Sequence, residues 1–279
     1  MKIIVIFANM KVILVTGASS GIGESASRRL LEAGNIVYCA ARRVERMKAL
    51  GDAGARILNL DVTDETAVNA AVDLVLKEQG RIDVLVNNAG YGYFGAMETV
   101  SLDEARRQFD VNVFGLAALC RRVIPVMREQ GFGRIINVAS MAGYFCEPRG
   151  DWYHATKYSV VALSNCMRME LKPFGIDVVL IEPGAIASSW CDIAMDNMLA
   201  SCSGTPYASG AEKHSRLFRW AYGRFASSPD IIARAIFDAS MARRPRLHYR
   251  KGFGATVFPL ASRLLPERCF DGLCHKLFG

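Results

Sequence analysis

Tyr153 and Lys157 are the residues of this sequence whose chemical types and spacing most directly suggest catalysis. They lie four positions apart in the segment DWYHATKYS, residues 151–159. On a helix, residues at this spacing share one face, with Cβ atoms about 5–6 Å apart, so the ammonium group can influence what the phenol does. Many Tyr-Lys pairs at this spacing are solvated on a protein surface. The elements around the pair decide between these two interpretations.

The composition is that of an ordinary globular protein. The chain has 279 residues, of which 51% are hydrophobic and 22% charged. This suits one large α/β domain or two small ones. Eight cysteines form no CxxC pair, and no histidine stands at a metal-ligand spacing from them, so we expect no metal site. With no secretory leader, these features favour reduced thiols and a cytoplasmic location.

Strand and helix patterns alternate along the chain. Continuous apolar, β-branched runs typical of buried parallel strands are followed by helical segments. This alternation predicts an α/β fold, a doubly wound Rossmann-type domain with a parallel sheet of about seven strands and helices on both faces. The predicted strands lie at 11–15, 36–41, 55–60, within 82–90, 133–140, 176–184 and 246–249. The predicted helices lie at 21–34, 64–78, 102–129 with a bend near Pro125, 152–173 and, after a less regular stretch, 228–241.

We expect a single catalytic domain over residues 10–250, because no linker, repeat or low-complexity segment divides the chain. Residues 1–9 are interpreted as an extension upstream of a natural start at Met10. Alternatively, the apolar run at residues 3–7 lengthens the first strand. Residues 251–279 form a basic, apolar C-terminal extension.

Glycines follow the first predicted strand in TGASSGIG, residues 16–23. In a doubly wound sheet, ligands bind beyond the carboxyl ends of the strands, so this loop lies where a ligand is expected. Gly17, Gly21 and Gly23 allow a tight turn and a close approach to a pyrophosphate, and the next helix offers unpaired N–H groups. The spacing is GxxxGxG rather than GxGxxG, and glycines also occur in ordinary turns.

Two arginines, Arg42 and Arg43, follow the second strand. Many dinucleotide-binding folds carry an acid at this position, which holds the ribose hydroxyls. Guanidinium groups instead favour a 2′-phosphate, and hence NADP(H) over NAD(H). A charge-assisted contact of this kind is worth roughly 1.5–3 kcal/mol, enough to set a cofactor preference. The alternative is that both arginines are merely solvated in a loop.

Polar residues also follow the other predicted strands. After the third strand, Asp61 could accept a hydrogen bond from the adenine amine, and Val62 could supply a backbone contact. Asn88 follows the fourth strand and is expected to bind backbone beside the cofactor. The fifth and sixth strands are followed by Ser140 and by the PG pair, residues 183–184. Each alone could be a loop residue, but together they place several binding groups at one edge.

These ordered motifs resemble the short-chain dehydrogenase/reductase family, closely over residues 11–185 and less clearly to 242. The likeness rests on TGxxxGIG, NNAG, Asn112, Ser140, YxxxK and PG. The sequence around YxxxK is similar to the branch that includes 17β-hydroxysteroid and retinol dehydrogenase-like enzymes. In that branch a Thr or Ser follows PG after a few residues, and here Ser188 or Ser189 takes that place.

The resemblance implies an NADP(H)-dependent oxidoreductase acting on CH–OH groups, with four catalytic residues. Tyr153 would be the general acid or base, and Ser140 would hydrogen-bond the substrate oxygen. Lys157 would hold the nicotinamide ribose. Asn112 would anchor a water molecule linked to that lysine, or alternatively bond only locally. The implied cofactor-binding residues are Gly17, Ser19, Ser20, Gly21, Ile22, Gly23, Arg42, Arg43, Asp61, Val62, Asn88, Gly90, Tyr153, Lys157, Pro183, Gly184 and Ile186.

The neighbouring lysine gives a physical reason for the role of Tyr153. A free tyrosine has a pKa of about 10 and is a poor base at neutral pH. A lysine charge near 4 Å is worth up to about 4 kcal/mol at an effective dielectric near 20, or roughly three pKa units. Burial works against part of this shift. We therefore expect the pKa of Tyr153 to move toward neutral pH, as general acid–base catalysis requires.

Residues 186–227 correspond to the variable segment that covers the site in this family. Aromatic and methionine side chains there suit a hydrophobic alcohol or ketone as substrate. Tyr93 and Phe94, after the fourth strand, could join them. Each of the lid residues could instead pack the lid onto the core. The lid residues concerned are Trp190, Met195, Met198, Leu199, Tyr207, Phe218, Trp220, Tyr222 and Phe225.

The basic charge is concentrated near the end of the chain. From Arg243 to Gly279, eight Lys or Arg stand against two acids, which nearly accounts for the net charge of +7. No nucleic-acid motif accompanies it, so we expect no nucleic-acid binding. Residues 251–279, divided by Pro259 and Pro266, could bind an anionic membrane surface weakly, or pack on the domain or a second subunit. The family implies a homo-oligomer. A non-catalytic NADP(H)-sensing protein is the alternative function.

Overall fold

Seven parallel strands form the central sheet of the computed structural model, which describes residues 10–278. The strands are β1 (Val12–Thr16), β2 (Ile36–Ala41), β3 (Arg56–Asn59), β4 (Val84–Asn87), β5 (Gly133–Val138), β6 (Ile176–Pro183) and β7 (His248–Lys251). Their order across the sheet is β3-β2-β1-β4-β5-β6-β7. The predicted Rossmann-type sheet is confirmed. The extension predicted at residues 1–9 lies outside the described residues.

Helices cover both faces of this sheet, as predicted. Those of residues 10–278 are α1 (Gly21–Glu32), α2 (Lys48–Asp52), α3 (Glu65–Gln79), α4 (Leu102–Phe109), α5 (Gly115–Gln130), α6 (Asp151–Leu171), α7 (Trp190–Cys202), α8 (Ala208–Phe225), α9 (Pro229–Met241), α10 (Val257–Leu264) and α11 (Glu267–Phe278). Short 3-10 helices and one π-helical turn lie at Val44–Met47, Met141–Gly143, Lys172–Phe174 and, for the π-helical turn, Asp110–Phe114.

Each face of the sheet packs against its own apolar core. One core joins the sheet to α3, α5 and α6, and the other joins it to α1 and α9. Side chains alternate along a strand, so Leu14 belongs to the first core and its neighbour Ile13 to the second. Both residues are fully buried. The two cores hold the strand ends, and therefore the loops that follow them, in fixed positions.

The order of strands reverses at β1. This strand pairs with β2 on one side and β4 on the other, so Val15 lies opposite both Cys39 and Val86. The connections after β1 and β4 leave the sheet toward opposite faces and open a crevice at its carboxyl edge. In open α/β sheets, ligands bind in this crevice.

Local sequence signals set several helix starts. Asp64 precedes α3, and its carboxylate accepts hydrogen bonds from the N–H groups of Thr66 and Ala67. Ser228 precedes α9, and its hydroxyl accepts from the N–H of Asp230. Side-chain oxygens at this position satisfy N–H groups that have no partner within the helix. The helix predicted at residues 228–241 is confirmed as α9, which begins directly after this cap.

The segment predicted as one helix at 102–129 contains a different feature in its middle. It consists of α4, the π-helical turn Asp110–Phe114 and α5, and the helix continues past Pro125 to Gln130. The π turn carries one of the expected catalytic residues. Such turns are rare and occur frequently at functional sites.

The stretch before α9, which the sequence suggested was less regular, contains the two helices α7 and α8. The buried positions of α7 are Cys191, Ala194, Met195, Met198 and Cys202. Their spacing follows one helical face, so a periodic signal was present. These two helices form the lid over the carboxyl edge of the sheet.

The C-terminal extension forms α10 and α11, separated near Pro266 as its sequence predicted. The division predicted at Pro259 is wrong, because this residue lies in the first turn of α10, where a proline is tolerated. Phe270, Cys274 and Phe278 of α11 are buried against Phe145 of the domain. This arrangement matches the packing interpretation, and residues 10–278 give no support to membrane contact. Within this range, no helix is both long and apolar enough to span a bilayer.

Candidate active site

The loop between β1 and α1 turns through two glycines in the left-handed region. Gly17 has a φ of +67° and Gly21 a φ of +56°, values that glycine adopts without steric cost. A Cβ on Gly23 would lie 2.5 Å from Asn88 Nδ2 and would overlap the carbonyl of Gly17. Ser20 stands before α1 and makes no side-chain cap, so the first N–H groups of this helix are open to an anion.

Asn88 fixes this loop against the end of β4. Its side-chain amide donates to the carbonyl oxygens of Thr16 at 3.0 Å and Gly17 at 3.2 Å. Its backbone N–H donates to the Thr16 hydroxyl at 3.0 Å. The amide therefore binds backbone, as the sequence suggested, and holds the glycine loop in its open shape.

Arg42 and Arg43 lie at the rim beyond β2. Arg42 Nη1 is 3.8 Å from Asp61 Oδ2, and 73% of the Arg42 side chain is exposed, so the guanidinium is accessible. Asp61 Oδ1 accepts from the N–H and hydroxyl of Thr63. Burial alone would raise the pKa of Asp61, but Thr63 and Arg42 hold that pKa below its usual value. This carboxylate is ionised and already partly engaged.

A cleft of about 530 Å³ extends along the carboxyl edge from these arginines to α7 and α8. Every predicted cofactor residue lines it except Gly23, which lies behind the loop because it packs against Gly17 and Asn88. Ser188 and Ser189 both line it as well. The predicted residues that line the cleft are Gly17, Ser19, Ser20, Gly21, Ile22, Arg42, Arg43, Asp61, Val62, Asn88, Gly90, Ser140, Tyr153, Lys157, Pro183, Gly184 and Ile186.

Tyr153 and Lys157 share one face of α6 and are buried in the wall of the cleft. Lys157 Nζ lies 5.8 Å from the centre of the Tyr153 ring and donates to the carbonyl of Val138 at 3.3 Å. Ser140 follows β5 beside them, and its hydroxyl accepts from the N–H of Ala142 at 3.1 Å. The pair is therefore buried, not solvated on the surface.

The direction expected for the pKa of Tyr153 is wrong for this structure. Burial raises the pKa of Tyr153 well above its usual value, the Ser140 hydroxyl opposes this shift, and the charge of Glu147 adds to it. Burial also lowers the pKa of Lys157 to about 8. The spacing of the pair says nothing about its depth, and burial disfavours both charged forms. At neutral pH the phenol is a proton donor.

Asn112 lies in the π-helical turn behind the cleft and does not line it. Its Oδ1 accepts from the N–H of Tyr91 at 3.0 Å, and its Nδ2 donates to the Tyr91 carbonyl at 2.8 Å and to the Thr156 hydroxyl at 3.1 Å. A Cβ on Gly90 would lie 2.9 Å from Asn112 Oδ1 and 3.8 Å from Lys157 Nζ. Asn112 thus joins the loop after β4 to α6, without a direct contact to Lys157.

Aromatic side chains enclose the end of the cleft beyond Tyr153. The ring centres of Phe94 and Trp190 lie 5.5 Å and 5.1 Å from that of Tyr153. Tyr222 lies 6.3 Å from Trp190 and 5.7 Å from Phe218. Three of these aromatic residues come from the lid, and all line the cleft. This end of the cleft has apolar walls beside a buried phenol.

The remaining lid residues named from the sequence do not line the cleft. Met195 and Met198 are fully buried between α7 and the domain, and Leu199 packs beside them. Tyr207, Trp220 and Phe225 are exposed. For these residues the packing or surface interpretation applies.

Glu147 was not identified from the sequence, yet it lines the cleft. It lies on the loop between the 3-10 helix Met141–Gly143 and α6, and only 6% of its side chain is exposed. His154, the residue after Tyr153, is buried 3.7 Å from the Glu147 carboxylate. The feature of the sequence that could have identified Glu147 is its position as a charged residue in the short segment between Ser140 and Tyr153.

The family model for short chain dehydrogenases matches residues 11–196, about two thirds of the chain. The chain belongs to the short-chain dehydrogenase/reductase family. The family resemblance of the motifs is therefore confirmed, and the protein is a member of a family of oxidoreductases. The comparisons do not separate the branches within that family.

Similar members of the short-chain dehydrogenase/reductase family carry reductase or dehydrogenase names. A 3-ketodihydrosphingosine reductase from Bacteroides thetaiotaomicron is 39% identical over 182 residues, 65% of this chain and 66% of the relative. The NADPH-dependent 3-dehydrocapnine reductase of Ornithobacterium rhinotracheale is 29% identical over 281 residues, 96% of this chain and 97% of the relative. A probable short-chain type dehydrogenase/reductase, VdlC, from Helicobacter pylori is 30% identical over 260 residues, 93% of this chain and 95% of the relative.

Solved structures of the family superpose well on this one. A short-chain dehydrogenase from Streptomyces avermitilis gives a TM-score of 0.80 at 33% identity, over 96% of both chains. A serine dehydrogenase complexed with NADP+ gives 0.72 at 27% identity, over 85% of this chain and 93% of that one. A member from Burkholderia phymatum in complex with NAD gives 0.77 at 25% identity, over 95% of both.

The residues of this chain fit a dinucleotide like those in the serine dehydrogenase and Burkholderia phymatum complexes. A Cβ at Gly23 would obstruct the loop, and the N-terminus of α1 presents N–H groups with no side-chain cap. Both features suit a pyrophosphate. Within residues 10–278, His, Cys, Asp and Glu form no cluster that could hold a metal ion.

Proposed function

We propose that this protein is an NADP(H)-dependent oxidoreductase that interconverts a hydrophobic alcohol and its ketone or aldehyde. One observation carries the proposal. Ser140, Tyr153 and Lys157 converge in the same cleft as the glycine loop, at the point where that cleft becomes aromatic. A reacting carbon placed there would lie between a dinucleotide site and a buried proton donor.

The preference for NADP(H) is supported by the residues after β2. Arg42 and Arg43 line the cleft, and no acid precedes them at the end of that strand. A guanidinium offers paired donors that match a phosphate. One relative is named as NADPH-dependent, whereas the similar solved structures include complexes with NADP+ and with NAD. The arginines of this chain therefore decide our assignment.

Each residue of the site has a separate task in the proposed reduction. The Ser140 hydroxyl donates a hydrogen bond to the substrate oxygen and positions it. Tyr153, whose pKa is raised by burial, is protonated and transfers its proton to the same oxygen. A bound nicotinamide would supply the hydride to the carbonyl carbon.

Lys157 completes the proton path. Burial lowers the pKa of Lys157 to about 8, so its ammonium group can return a proton to the phenolate of Tyr153 at neutral pH and then take up a proton from solvent. In the oxidation direction the same groups act in reverse. Trp190, whose ring centre is 5.1 Å from that of Tyr153, helps exclude water from the phenol.

The substrate class is supported by the lid and by the names of relatives. Phe94, Trp190, Phe218 and Tyr222 give the cleft apolar walls, which favour a substrate with an apolar body. One relative's name specifies a 3-keto compound as its substrate. A ketone with a hydrophobic chain or ring is the substrate that best matches these observations.

Oxidation of NADPH in the presence of ketones and aldehydes graded by size and apolarity tests the proposal. We expect turnover that rises with apolar size, and a lower kcat/KM when NADH replaces NADPH. Bound NADPH without turnover of any ketone or aldehyde would instead support a non-catalytic NADP(H)-sensing protein. Faster turnover with NADH would contradict the assigned cofactor.

We also propose that the protein forms a homo-oligomer. Leu102 and Phe114, at the start of α4 and in the π-helical turn, are 59% and 60% exposed. Large apolar side chains exposed on adjoining helices suit a contact between subunits. Sedimentation of the protein and of Phe114→Ser should show an oligomer that the substitution weakens. A monomer at all accessible concentrations would contradict this.

A further inference from the structure

The loop between Met141–Gly143 and α6 brings one carboxylate into the aromatic end of the cleft. Glu147 lines this region together with Tyr153, and its side chain is 6% exposed. Isolated charges are rarely buried in this way without a partner, because an ionised carboxylate loses much of its hydration. The surroundings of Glu147 therefore indicate what its partner is.

Within residues 10–278, the charged partner that the protein offers Glu147 is His154. His154 Nε2 lies 3.7 Å from Glu147 Oε1, beyond a normal hydrogen bond, and makes no hydrogen bond of its own. The other ring nitrogen, Nδ1, lies 2.9 Å from the carbonyl of Ala142. Among residues 10–278, no lysine or arginine lies within 4 Å of this carboxylate.

The next basic groups are directed elsewhere. The Arg149 guanidinium binds the carbonyl of Phe278 in α11 and lies 3.5 Å from His214 Nδ1. Burial lowers the pKa of His214 to about 4, so at neutral pH this imidazole carries no charge. An ionised carboxylate can accept several hydrogen bonds at once. Glu147 thus retains acceptor positions, and the residue lines the cleft.

Aromatic side chains line the same cleft as this carboxylate. The ring centre of Phe94 lies 5.9 Å from that of Trp190 and 6.3 Å from that of Phe218, and Trp190 lies 6.3 Å from Tyr222. The faces of aromatic rings attract cations, most strongly where water is excluded. A carboxylate and several aromatic rings that line one cleft are suited to an organic ammonium group.

We propose that Glu147 and these aromatic walls bind an ammonium group of the substrate, so that the substrate is a ketone or alcohol with a protonated amine close to the reacting carbon. The inference rests on the proposed function, because it places the amine relative to the reaction at Tyr153. The ring centre of Phe94, which bridges the aromatic walls and the reaction site, is 5.5 Å from that of Tyr153. An amine held beside these walls would therefore lie near the carbonyl that reacts at Tyr153.

Substrate charge at this position has a chemical consequence. Apart from burial, which is the largest cause, the charge of Glu147 raises the pKa of Tyr153. An ammonium group paired with Glu147 would offset that effect and bring the phenol closer to a pKa suited for proton exchange. Binding of the correct substrate would thus adjust the catalytic acid.

The competing explanation is an internal ion pair between Glu147 and His154. Burial lowers the pKa of His154, but Glu147 raises it above the usual value overall. If the pair with His154 is the only role of Glu147, replacing Glu147 changes the fold or the shape of the pocket. The replacement would then weaken the binding of charged and neutral ligands alike, which separates the two explanations.

Binding of hexylamine and of hexanol to the enzyme–NADPH complex tests the proposal without turnover. Calorimetry at neutral pH should give hexylamine an affinity on the order of tenfold to a hundredfold higher than that of hexanol, as expected for a charge-assisted contact. Glu147→Gln should abolish this advantage and leave hexanol unchanged. Asp151→Asn is the matched control, because it removes a carboxylate four residues away that does not line the cleft, and it should retain the advantage.

Equal binding of the two ligands by the wild-type enzyme would overturn the proposal, whatever the stability of the variants. If Asp151→Asn lost the affinity advantage of hexylamine to the same extent, the proposal would also be overturned. The advantage would then come from the overall charge of the protein and not from Glu147. Conversely, similar losses of hexanol and hexylamine in Glu147→Gln would assign Glu147 to the internal pair with His154.

A matched pair of ketones separates this proposal from the proposed function. Dimethylaminoacetone and isobutyl methyl ketone have nearly the same shape, but only the first carries a protonated amine. Glu147→Gln should lower kcat/KM for the amino ketone at least tenfold relative to the neutral ketone. Turnover of both ketones with no change in their ratio would overturn the role of Glu147 and leave the proposed function intact. If hexylamine bound as predicted but no ketone were turned over, the proposed function would be overturned and the role of Glu147 in binding the ammonium group would stand.

Discussion

Replacing Arg42 with alanine should weaken NADPH binding much more than NADH binding. Only NADPH carries the 2′-phosphate, and Arg42 is 73% exposed at the rim where that phosphate would lie. Burial is slight there, so screening by water reduces the value of each charge contact. The change removes a guanidinium group without disturbing the core.

The magnitude follows from the present contacts of Arg42. A charge-assisted hydrogen bond contributes roughly 1.5–3 kcal/mol, and the exposure of this side chain favours the lower end. Arg42 also gives up its contact with Asp61 at 3.8 Å when it turns to a phosphate. We therefore expect NADPH affinity to fall by about tenfold, and NADH affinity to change by less than about twofold.

Titration of each protein with NADPH and NADH, followed by the fluorescence of the reduced nicotinamide, measures both affinities. Arg46→Ala is the matched control, because Arg46 is exposed nearby but does not line the cleft. It should leave both affinities unchanged. If Arg42→Ala reduces NADPH and NADH affinity by the same factor, Arg42 has a structural role and the argument for the 2′-phosphate is wrong.

Further changes test the supports of the site. Gly23→Ala should reduce NADPH affinity at least tenfold in a direct titration, because the new Cβ would overlap the carbonyl of Gly17; unchanged affinity would show that the loop adapts. Glu182 is a buried residue of β6. Burial would raise its pKa, but hydrogen bonds from His248, Tyr144 and Arg250 hold that pKa below the usual 4.5. The Glu182 carboxylate thus stabilises the fold above about pH 4.5, and this stabilisation is lost as the pH falls further. Glu182→Gln should therefore make Tm decrease less steeply as the pH is lowered. An unchanged slope of Tm against pH would contradict this. Phe270→Ala should lower the free energy of unfolding by about 3 kcal/mol in urea titrations, and a loss under about 0.5 kcal/mol would mean that α11 packs only loosely.

The residues after each strand could be placed from sequence because parallel strands end at one edge. That rule predicts from sequence alone that Gly17, Arg42, Asn88 and Ser140 lie together, and all four line the cleft. Alternation of strands and helices is a strong signal, since it depends on long apolar runs. For a residue that directly follows a strand, its place in the sequence was therefore enough to predict that it lies at the site.

The burial of individual side chains and the irregular turns within helices were harder to predict. The spacing of Tyr153 and Lys157 fixes their common face, but their burial depends on the lid helices α7 and α8, which contribute Trp190 over the phenol. The pKa of Tyr153 was therefore expected in the wrong direction. Likewise, the π-helical turn that orients Asn112 toward Tyr91 depends on packing rather than on a local pattern.

Glu147 shows a different limit. Its neighbours in sequence carry no motif, and its burial arises because the loop after Met141–Gly143 folds under the lid. A charged residue in a loop is usually solvated. Only the three-dimensional arrangement shows that this carboxylate lines a cleft with aromatic rings. Sequence patterns therefore located the loops after the strands better than the side chains that the fold buries in the cleft.

The measurement that tests the central claim most directly is the effect of Tyr153→Phe on turnover and on cofactor binding in the same preparation. With the best ketone of the panel, kcat should fall on the order of a hundredfold to ten-thousandfold, because the variant lacks the proton donor. NADPH affinity should change by less than about threefold, because the phenol is not expected to bind the phosphates or the adenine. Tyr158→Phe, on an exposed position of the same helix, should match the wild type in both. Turnover by Tyr153→Phe within about threefold of the wild type, or equal losses of turnover and NADPH binding, would contradict the assignment of Tyr153 as the general acid.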